Sequence, residues 1–355
     1  MVAQPSNRRP VVRLLLTLAF TLAVVVGFGG GVLGVLEGAD RTGQRLGQLH
    51  LGWLVGSVAI WSVTVLIQAV RWRALMPVVR RPPVLALAWV VLGSNALTLA
   101  LPGPVGEFAG AWYVRHRYGV PMAVALASAL LGRALAILCF GVATLALWPL
   151  RAASLPADVV RLITPIAAVT GAITLPIAGL CFRPEALMAI ASRFTLQLLP
   201  GPAGSRIRER LAWWSLCFGA LGRIGARRWA AATGACFVNL TVMTVSTLAS
   251  FRAIGLAADP VGTAFMQAAT AVASVAGVLV PGGFGAVEVL VVALFPTFAS
   301  GGTADAVFVA VVLRLVHVAT LFLGVPAMVW LSASLPDEAE VLAPLANVTG
   351  PSASA

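Results

Sequence analysis

Long apolar runs, interrupted by few charged residues, constrain the fold of this chain more than any other feature of its sequence. Of its 355 residues, 60% are hydrophobic and only 10% are charged, whereas roughly a quarter of the residues in a soluble domain are charged. Several runs reach the roughly 20 residues that span a bilayer as a helix. They are continuous rather than alternating, which excludes a transmembrane β-barrel. The sequence therefore predicts an all-α, polytopic integral membrane protein.

The runs predict about six full transmembrane helices, at Val11–Leu36, Leu51–Val70, 122–148, 162–182, Ala232–Phe251 and 306–332. Two further pairs of apolar runs remain, and in each pair a stretch rich in proline and glycine separates the two members. The pairs are Val84–Leu101 with Phe108–Val114, and Val261–Val280 with Ala286–Ala299. Because proline and glycine break helices, each pair is predicted to form a helical hairpin with its tip at the Pro-Gly stretch.

The two Pro-Gly stretches, Pro102–Glu107 and Pro281–Glu288, belong to longer segments that match each other. In both segments an arginine precedes the first proline by 29 residues, and a second arginine follows the glutamate by 26 residues. The landmarks are Arg73, Pro102, Glu107 and Arg133 in the first segment and Arg252, Pro281, Glu288 and Arg314 in the second. Matched landmarks at matched spacing predict an internal duplication.

Arginine counts choose between two topologies. If Val84–Leu101 crosses the membrane and Phe108–Val114 does not, the arginines outside the membrane divide 10 against 12. If both hairpins return to the side they came from, 17 fall on one side and five on the other, and the positive-inside rule makes the richer side cytoplasmic. A helix over Phe108–Val114 would rise only about 10 Å, too little to cross. The first hairpin is therefore predicted to be re-entrant from the cytoplasm. The charges leave open whether the second, entering from outside, is re-entrant or crosses twice.

Hairpins that enter from opposite sides make the two repeats inverted, an arrangement typical of transporters. The predicted regions are an N-terminal transmembrane helix and loop (1–50), the first repeat with the fourth span (51–182), a basic cytoplasmic loop with an interfacial helix (183–231), the second inverted repeat (232–332) and an acidic, disordered tail (333–355). We expect a multi-pass protein of the cell membrane with both termini in the cytoplasm.

The hairpin tips are candidates for binding a ligand. Each presents a helix N-terminus, which favours an anion such as phosphate, and glycine lets the backbone approach a ligand closely. The alternative is a plain tight turn between packed helices. The candidate tip residues are Pro102, Gly103 and Gly106 in the first repeat and Pro281, Gly282, Gly283 and Gly285 in the second.

Charged residues at membrane depth form the second group of candidates. Glu107 and Glu288 lie just beyond the tips, and Arg133 and Arg314 lie well inside apolar spans. An ionisable residue there is costly unless it is paired or hydrated, so each glutamate is expected to pair with an arginine, within or across the repeats. Such pairs either fix helix packing or meet a polar or anionic headgroup, and the planar fork of arginine suits phosphate.

A few polar residues within the apolar runs have no counterpart in the other repeat. His317 follows Arg314 by three residues, shares its helix face and is included among the candidate substrate-binding residues. Asn95, Asn239 and Gln267 are expected to make hydrogen bonds between helices.

No nucleophile elbow, P-loop, HExxH or kinase signature is present. The four cysteines and three histidines are too dispersed for a metal site, no cofactor is expected, and no catalytic residue is assigned. The basic segment 183–231 lies beside the membrane, so anionic lipid headgroups are a better partner for it than nucleic acid. The oligomeric state is left open.

Two signatures in the chain resemble those of a known family, the lysylphosphatidylglycerol synthase transmembrane-region family. The first runs from Asn95 to Glu107 and is followed by Arg133; the second is Pro281–Gly285 with Glu288, followed by Arg314. The individual motifs are short, and their order and spacing carry the resemblance.

The resemblance covers roughly residues 11–332 and implies a function in lipid transport. The membrane region of the family is similar to a lipid flippase, and related stand-alone members are associated with glycolipid or polyisoprenoid pathways. The synthases of the family add a large soluble aminoacyl-transfer domain, which this sequence lacks, so synthase activity is not implied.

Two functions from different classes are therefore expected. The first is a flippase-like transporter that moves a phospholipid or lipid-linked headgroup between leaflets. The second is a membrane-embedded accessory subunit or enzyme of glycolipid, polyisoprenoid or aminoacyl-lipid metabolism, working with a partner enzyme of lipid modification. A transporter of a small solute or ion is a third, weaker option.

The predicted topology can be tested by cysteine labelling from the two sides of the membrane. Because of the 17-to-5 division of arginines, cysteines introduced near Arg117 and Arg208 should react only from the cytoplasm, and those near Asp40 and Asp259 only from outside. Labelling with a membrane-impermeant maleimide, before and after permeabilisation, measures this. Reaction near Arg208 from outside would overturn the re-entrant scheme.

Overall fold

A computed structural model describes residues 49–78, 81–100, 105–153, 157–182, 224–274 and 286–333, together with residues 155 and 193. These residues form helices and loops, with a single isolated backbone bridge between Ala258 and Ala299. The predicted all-α class is confirmed. The predicted first span, most of the basic segment 183–231 and nearly all of the tail 333–355 lie outside the described residues.

The helices of the described residues are numbered here in chain order. They are α1 (Leu51–Leu75), α2 (Val84–Ala100), α3 (Val105–Tyr118), α4 (Met122–Ala152), α5 (Ala157–Phe182), α6 (Ala226–Ala253), α7 (Pro260–Ala273), α8 (Ala286–Leu294), a 3₁₀ turn (Phe295–Thr297) and α9 (Thr303–Ala333). Within the described ranges, α1, α4, α6 and the part of α9 up to Gly324 are long and apolar enough to cross a membrane. They coincide with predicted spans, so the chain is a multi-pass membrane protein.

Local sequence sets several helix ends. Asp259 caps α7 by accepting a hydrogen bond from the backbone N–H of Gly262 at 2.5 Å, and Pro260 occupies the first helical position. Gly119 and Gly255 follow the ends of α3 and α6 with φ angles of 67° and 70°, a left-handed conformation that favours glycine. Asp259 and Pro260 thus start α7, and the two glycines end α3 and α6 where the chain must turn.

Helices α1 and α6 form the most extensive contact of the fold. Ser57 on α1 donates a hydrogen bond to the Ser246 carbonyl at 2.9 Å, and its hydroxyl lies 2.7 Å from that of Ser250 on α6. Small hydroxyl side chains let membrane helices approach closely. The His50 N–H donates to the Ala253 carbonyl at 2.9 Å, so the start of α1 lies beside the end of α6. The two helices are antiparallel and come from corresponding positions in the two matched segments.

The pairs α2–α3 and α7–α8 each join the rest of the chain at the end away from their Pro-Gly stretch. These joining ends lie at opposite ends of α1. The Arg73 Nε, near the end of α1, donates to the Pro82 carbonyl at 3.1 Å before α2 begins, and Val120 after α3 packs in the same apolar cluster. At the other end, the Asp259 N–H donates to the Phe298 carbonyl at 2.7 Å, which joins the start of α7 to the turn after α8. His50 and Pro260 border the same groove there. The first pair thus opens towards the end of α1 and the second towards its start.

Glycine allows the close packing of these short helices. A Cβ atom at Gly106 on α3 would collide with the backbone carbonyl of Ser94 on α2, and one at Gly110 would lie 2.5 Å from the Ser94 hydroxyl. A Cβ at Gly262 would collide with the Thr297 carbonyl in the same way. We expected Gly106 to give a ligand access to the backbone, and this stays a prediction; the structure gives the glycine a packing role against α2 as well.

This packing predicts different costs for two glycine-to-alanine changes. Gly106→Ala forces α3 away from Ser94 and should destabilise the protein by about 1–3 kcal/mol, the usual cost of overpacking. Gly234→Ala on α6 is the matched control, because no atom lies within 4 Å of its added Cβ. Thermal unfolding in detergent measures both. Equal melting temperatures for the two variants would contradict the packing role of Gly106.

Candidate functional site

A polar cavity of about 280 Å³ lies between α1, α2, α3, α4, α6 and the end of α7. Its apolar wall includes Ala129, Ala136 and Phe140 of α4. Its polar lining consists of Thr64, Gln68, Arg71, Ser94, Asn95, Thr98, Glu107, Arg133, Asn239 and Ser274, with the indole rings of Trp61 and Trp72. So many polar groups are expensive in a membrane interior unless they meet water or a ligand.

One face of α1 supplies the longest polar wall of the cavity. Trp61, Thr64, Gln68 and Arg71 line it at intervals of three and four residues, the spacing that places side chains on one helix face. From the first to the last of them the helix rises about 15 Å, at about 1.5 Å per residue. The polar lining therefore follows α1 for about three helical turns.

The ion pair of the first matched segment opens into this cavity. Arg133 on α4 donates from Nη1 to Oε1 of Glu107, which lies in the first turn of α3. The Thr98 hydroxyl on α2 donates to the other carboxylate oxygen at 3.4 Å. The side chain of Arg133 is 35% exposed and that of Glu107 is 16% exposed. Both groups are reachable from the cavity while they remain paired.

The ion pair of the second segment is more deeply buried. Arg314 on α9 donates from Nε to Oε1 of Glu288, which lies in the first turn of α8. Their side chains are 9% and 10% exposed. Each glutamate thus pairs with the arginine 26 residues after it, within its own repeat, which resolves the alternative that the sequence left open. Only the first pair borders the polar cavity.

His317 lies behind the cavity wall. Its Nδ1 is 2.9 Å from the Leu313 carbonyl, one turn earlier on α9. Its ring meets the ring of Trp61 edge to face, with 4.3 Å between the centroids. Trp61 itself lines the cavity, so His317 contacts the cavity through this indole and supports its position.

The tips themselves lie outside the described residues, and their role as a ligand site stays a prediction. They are Pro102, Gly103, Pro281, Gly282, Gly283 and Gly285. The helices on both sides of each tip are described, and Glu107 lies in the first turn after the first tip. The chain therefore passes close to the Glu107–Arg133 pair as it leaves that tip.

Sequence reasoning missed Arg71. The second span was predicted to end at Val70, immediately before this residue. Helix α1 continues instead to Leu75, and Arg71 is only 9% exposed, facing the cavity. The periodic spacing of Trp61, Thr64, Gln68 and Arg71 could have revealed it, because hydropathy alone treats an arginine as the end of an apolar run.

Two other polar residues of the cavity, Asn95 and Asn239, were identified from the sequence, but their place in the cavity wall was not. Asn95 donates from Nδ2 to Oε1 of Gln68 at 3.4 Å, a hydrogen bond between α2 and α1 as predicted. Asn239 contacts Met243 on its own helix at 3.4 Å. Among the described residues, Asn239 Oδ1 and Ser94 Oγ are buried without a hydrogen-bond partner. Buried polar atoms are normally paired, so these two are candidates for contact with a bound ligand.

No three His, Cys, Asp or Glu side chains form a metal-binding group within the part of the chain that the structure describes.

Charged side chains around a polar cavity, between helices of which three are long and apolar enough to cross a membrane, define a multi-pass membrane protein with a polar site. The chain belongs to the lysylphosphatidylglycerol synthase TM region family, whose sequence profile matches residues 11–324. The resemblance seen in the sequence is thereby confirmed. No curated protein and no solved structure gives a significant match. The family identifies a membrane protein of lipid metabolism or transport.

The different exposure of the two ion pairs predicts different costs of breaking them. Arg314→Gln leaves the buried carboxylate of Glu288 without its arginine, so it should cost about 3–5 kcal/mol of stability. Arg133→Gln leaves Glu107 beside a cavity that admits water, so its cost should be smaller.

Denaturation in detergent measures both variants. The double variant Glu288→Gln with Arg314→Gln should recover most of the lost stability, because it leaves no uncompensated charge. Equal losses for Arg133→Gln and Arg314→Gln would contradict the difference in burial.

Proposed function

We propose that this protein is a flippase-like transporter, which moves the headgroup of a phospholipid or lipid-linked substrate between the two leaflets. The observation that supports this most is the Glu107–Arg133 ion pair, which is accessible from a polar cavity inside a bundle of membrane-crossing helices. A headgroup that crosses a membrane needs such a cavity, since the hydrocarbon offers it no hydrogen bonds. The volume of about 280 Å³ is close to the lower end of ligand pockets, roughly 300–1,000 Å³.

The orientation of the short helices supports a transport cycle. The ends of the pairs α2–α3 and α7–α8 that join the rest of the chain lie at opposite ends of α1. We infer that each pair is a re-entrant hairpin and that the two repeats are inverted, an architecture that provides alternating access in many transporters. The arginine distribution then puts the end of α1 and both termini on the cytoplasmic side of the cell membrane.

The unequal ion pairs suit one state of such a cycle. In this conformation Glu107 and Arg133 meet the cavity, and Glu288 and Arg314 are closed in protein. Because the pairs occupy corresponding positions in the two matched segments, we infer that the alternative state opens the second pair and closes the first. Each hairpin would then serve one side of the membrane.

Filling the cavity tests the proposal. Ala129→Trp places an indole in the cavity wall of α4 and should abolish most lipid translocation, because the headgroup loses its space. Val142→Trp on the same helix is the control, since Val142 is 49% exposed on the outer surface. The measurement is exchange of fluorescent phospholipids between leaflets in vesicles reconstituted with the full chain, read by a membrane-impermeant quencher.

A charge variant sharpens the same experiment. Glu107→Gln combined with Arg133→Gln removes the pair without leaving a lone charge, so the protein should fold and yet fail to translocate. Translocation at the wild-type rate by this double variant and by Ala129→Trp would show that the cavity is not the path.

A further inference from the structure

A second guanidinium group faces the cavity, and it belongs to Arg71. This side chain is 9% exposed and lines the cavity beside Gly132, where a Cβ atom would lie 3.5 Å from Arg71 Nε. Gly132 immediately precedes Arg133 on α4, and both arginines line the same cavity. The one hydrogen bond that Arg71 makes to a described residue is a long contact of 3.8 Å from Nη1 to the Cys236 sulfur.

The carboxylates whose side chains the structure describes are committed elsewhere. Glu107 pairs with Arg133 and Glu288 with Arg314. The remaining two are Asp259, which pairs with Arg151, and Asp305, which accepts from the Gly302 N–H. Among these described groups Arg71 has no carboxylate partner, and the charged side chains of described residues that line the cavity are two guanidinium groups and one carboxylate.

We propose that Arg71, together with Arg133, binds the phosphate group of the substrate, and that the cavity therefore takes headgroups of net negative charge. This inference rests on the proposed function and specifies its substrate class. A buried cation is costly unless an anion accompanies it, and a phosphodiester supplies one negative charge to a lining that has one positive charge in excess. Zwitterionic headgroups, and headgroups made cationic by an aminoacyl ester, are disfavoured.

The surrounding groups suit this ligand. The planar guanidinium of Arg71 offers two parallel hydrogen bonds to phosphate oxygens, and Gly132 leaves it room to do so. Gln68 lies one turn deeper on the same face of α1. Asn239 Oδ1 is a buried acceptor that lacks a partner among the described residues, and it can receive a hydrogen bond from the remainder of the headgroup.

A purely structural role for Arg71 gives a different expectation. In that case the side chain serves only to bridge α1 to α6 through Cys236, and the cavity has no preference for charge. The two roles are separated by binding measurements on the purified full chain in detergent. The probes for calorimetric titration are short-chain phosphatidylglycerol, phosphatidylcholine and lysyl-phosphatidylglycerol, with glycerol phosphate and inorganic phosphate as free anions.

We expect wild-type protein to bind phosphatidylglycerol at least about tenfold more tightly than the zwitterionic or the lysyl-bearing lipid. Arg71→Gln should remove this preference, and Arg71→Lys should keep part of it, because lysine retains the charge without the fork. The matched control is Arg73→Gln, two residues further on, where the side chain contacts the Pro82 carbonyl and not the cavity. This control should bind as the wild type does.

Equal affinity of the wild-type protein for the anionic and zwitterionic lipids would overturn the inference, and this test needs no variant to fold. Unchanged selectivity in Arg71→Gln would overturn it as well. If inorganic phosphate and glycerol phosphate displace the lipid at comparable concentrations, the site recognises the anion alone. If they do not, the site recognises a lipid headgroup. Selective binding without translocation would refute the transporter and retain the site, whereas translocation without selectivity would do the reverse.

Discussion

The cost of placing a charge in a low-dielectric membrane interior is the constraint on which the rest of this structure depends. Each glutamate lies in the first turn of a short helix, and its arginine lies well inside the long helix that follows. Neither side chain is tolerated alone at such depth, so the pair fixes how far the short helix enters the bundle. The ion pairs thereby position the short helices α3 and α8 against α4 and α9.

The same sequence element has different consequences in its two copies. A buried ion pair adds little net stability, because desolvation offsets the attraction, but breaking it is costly. The dry pair of Glu288 and Arg314 therefore acts as a packing constraint in this conformation. The pair of Glu107 and Arg133 adjoins polar space, so its arginine can exchange one partner for another. Burial, rather than residue identity, separates the two behaviours.

Much of this arrangement was predictable from local rules. The Glu–Arg pairs follow from matched spacing, and the start of α7 follows from Asp259 and Pro260. Arg71 was missed because its role depends on six helices that meet around one cavity. The hydropathy of a single helix carries no information about its neighbours. The packing role of Gly106 was also missed, because it is set by Ser94 on the neighbouring helix α2. Roles that depend on a distant segment are those that sequence reasoning does not reach.

The proposed site also accounts for how a substrate can leave. An anion held by two arginines alone would bind too tightly to be transported, because its departure would leave two unpaired charges. Glu107 changes that balance, since its carboxylate and the substrate phosphate are alternative partners for Arg133. When the phosphate departs, Glu107 restores the ion pair, and only Arg71 loses its partner. The glutamate thus lowers the energy of the empty site and, with it, the barrier to release, which gives a physical reason for a carboxylate beside an anion-binding arginine.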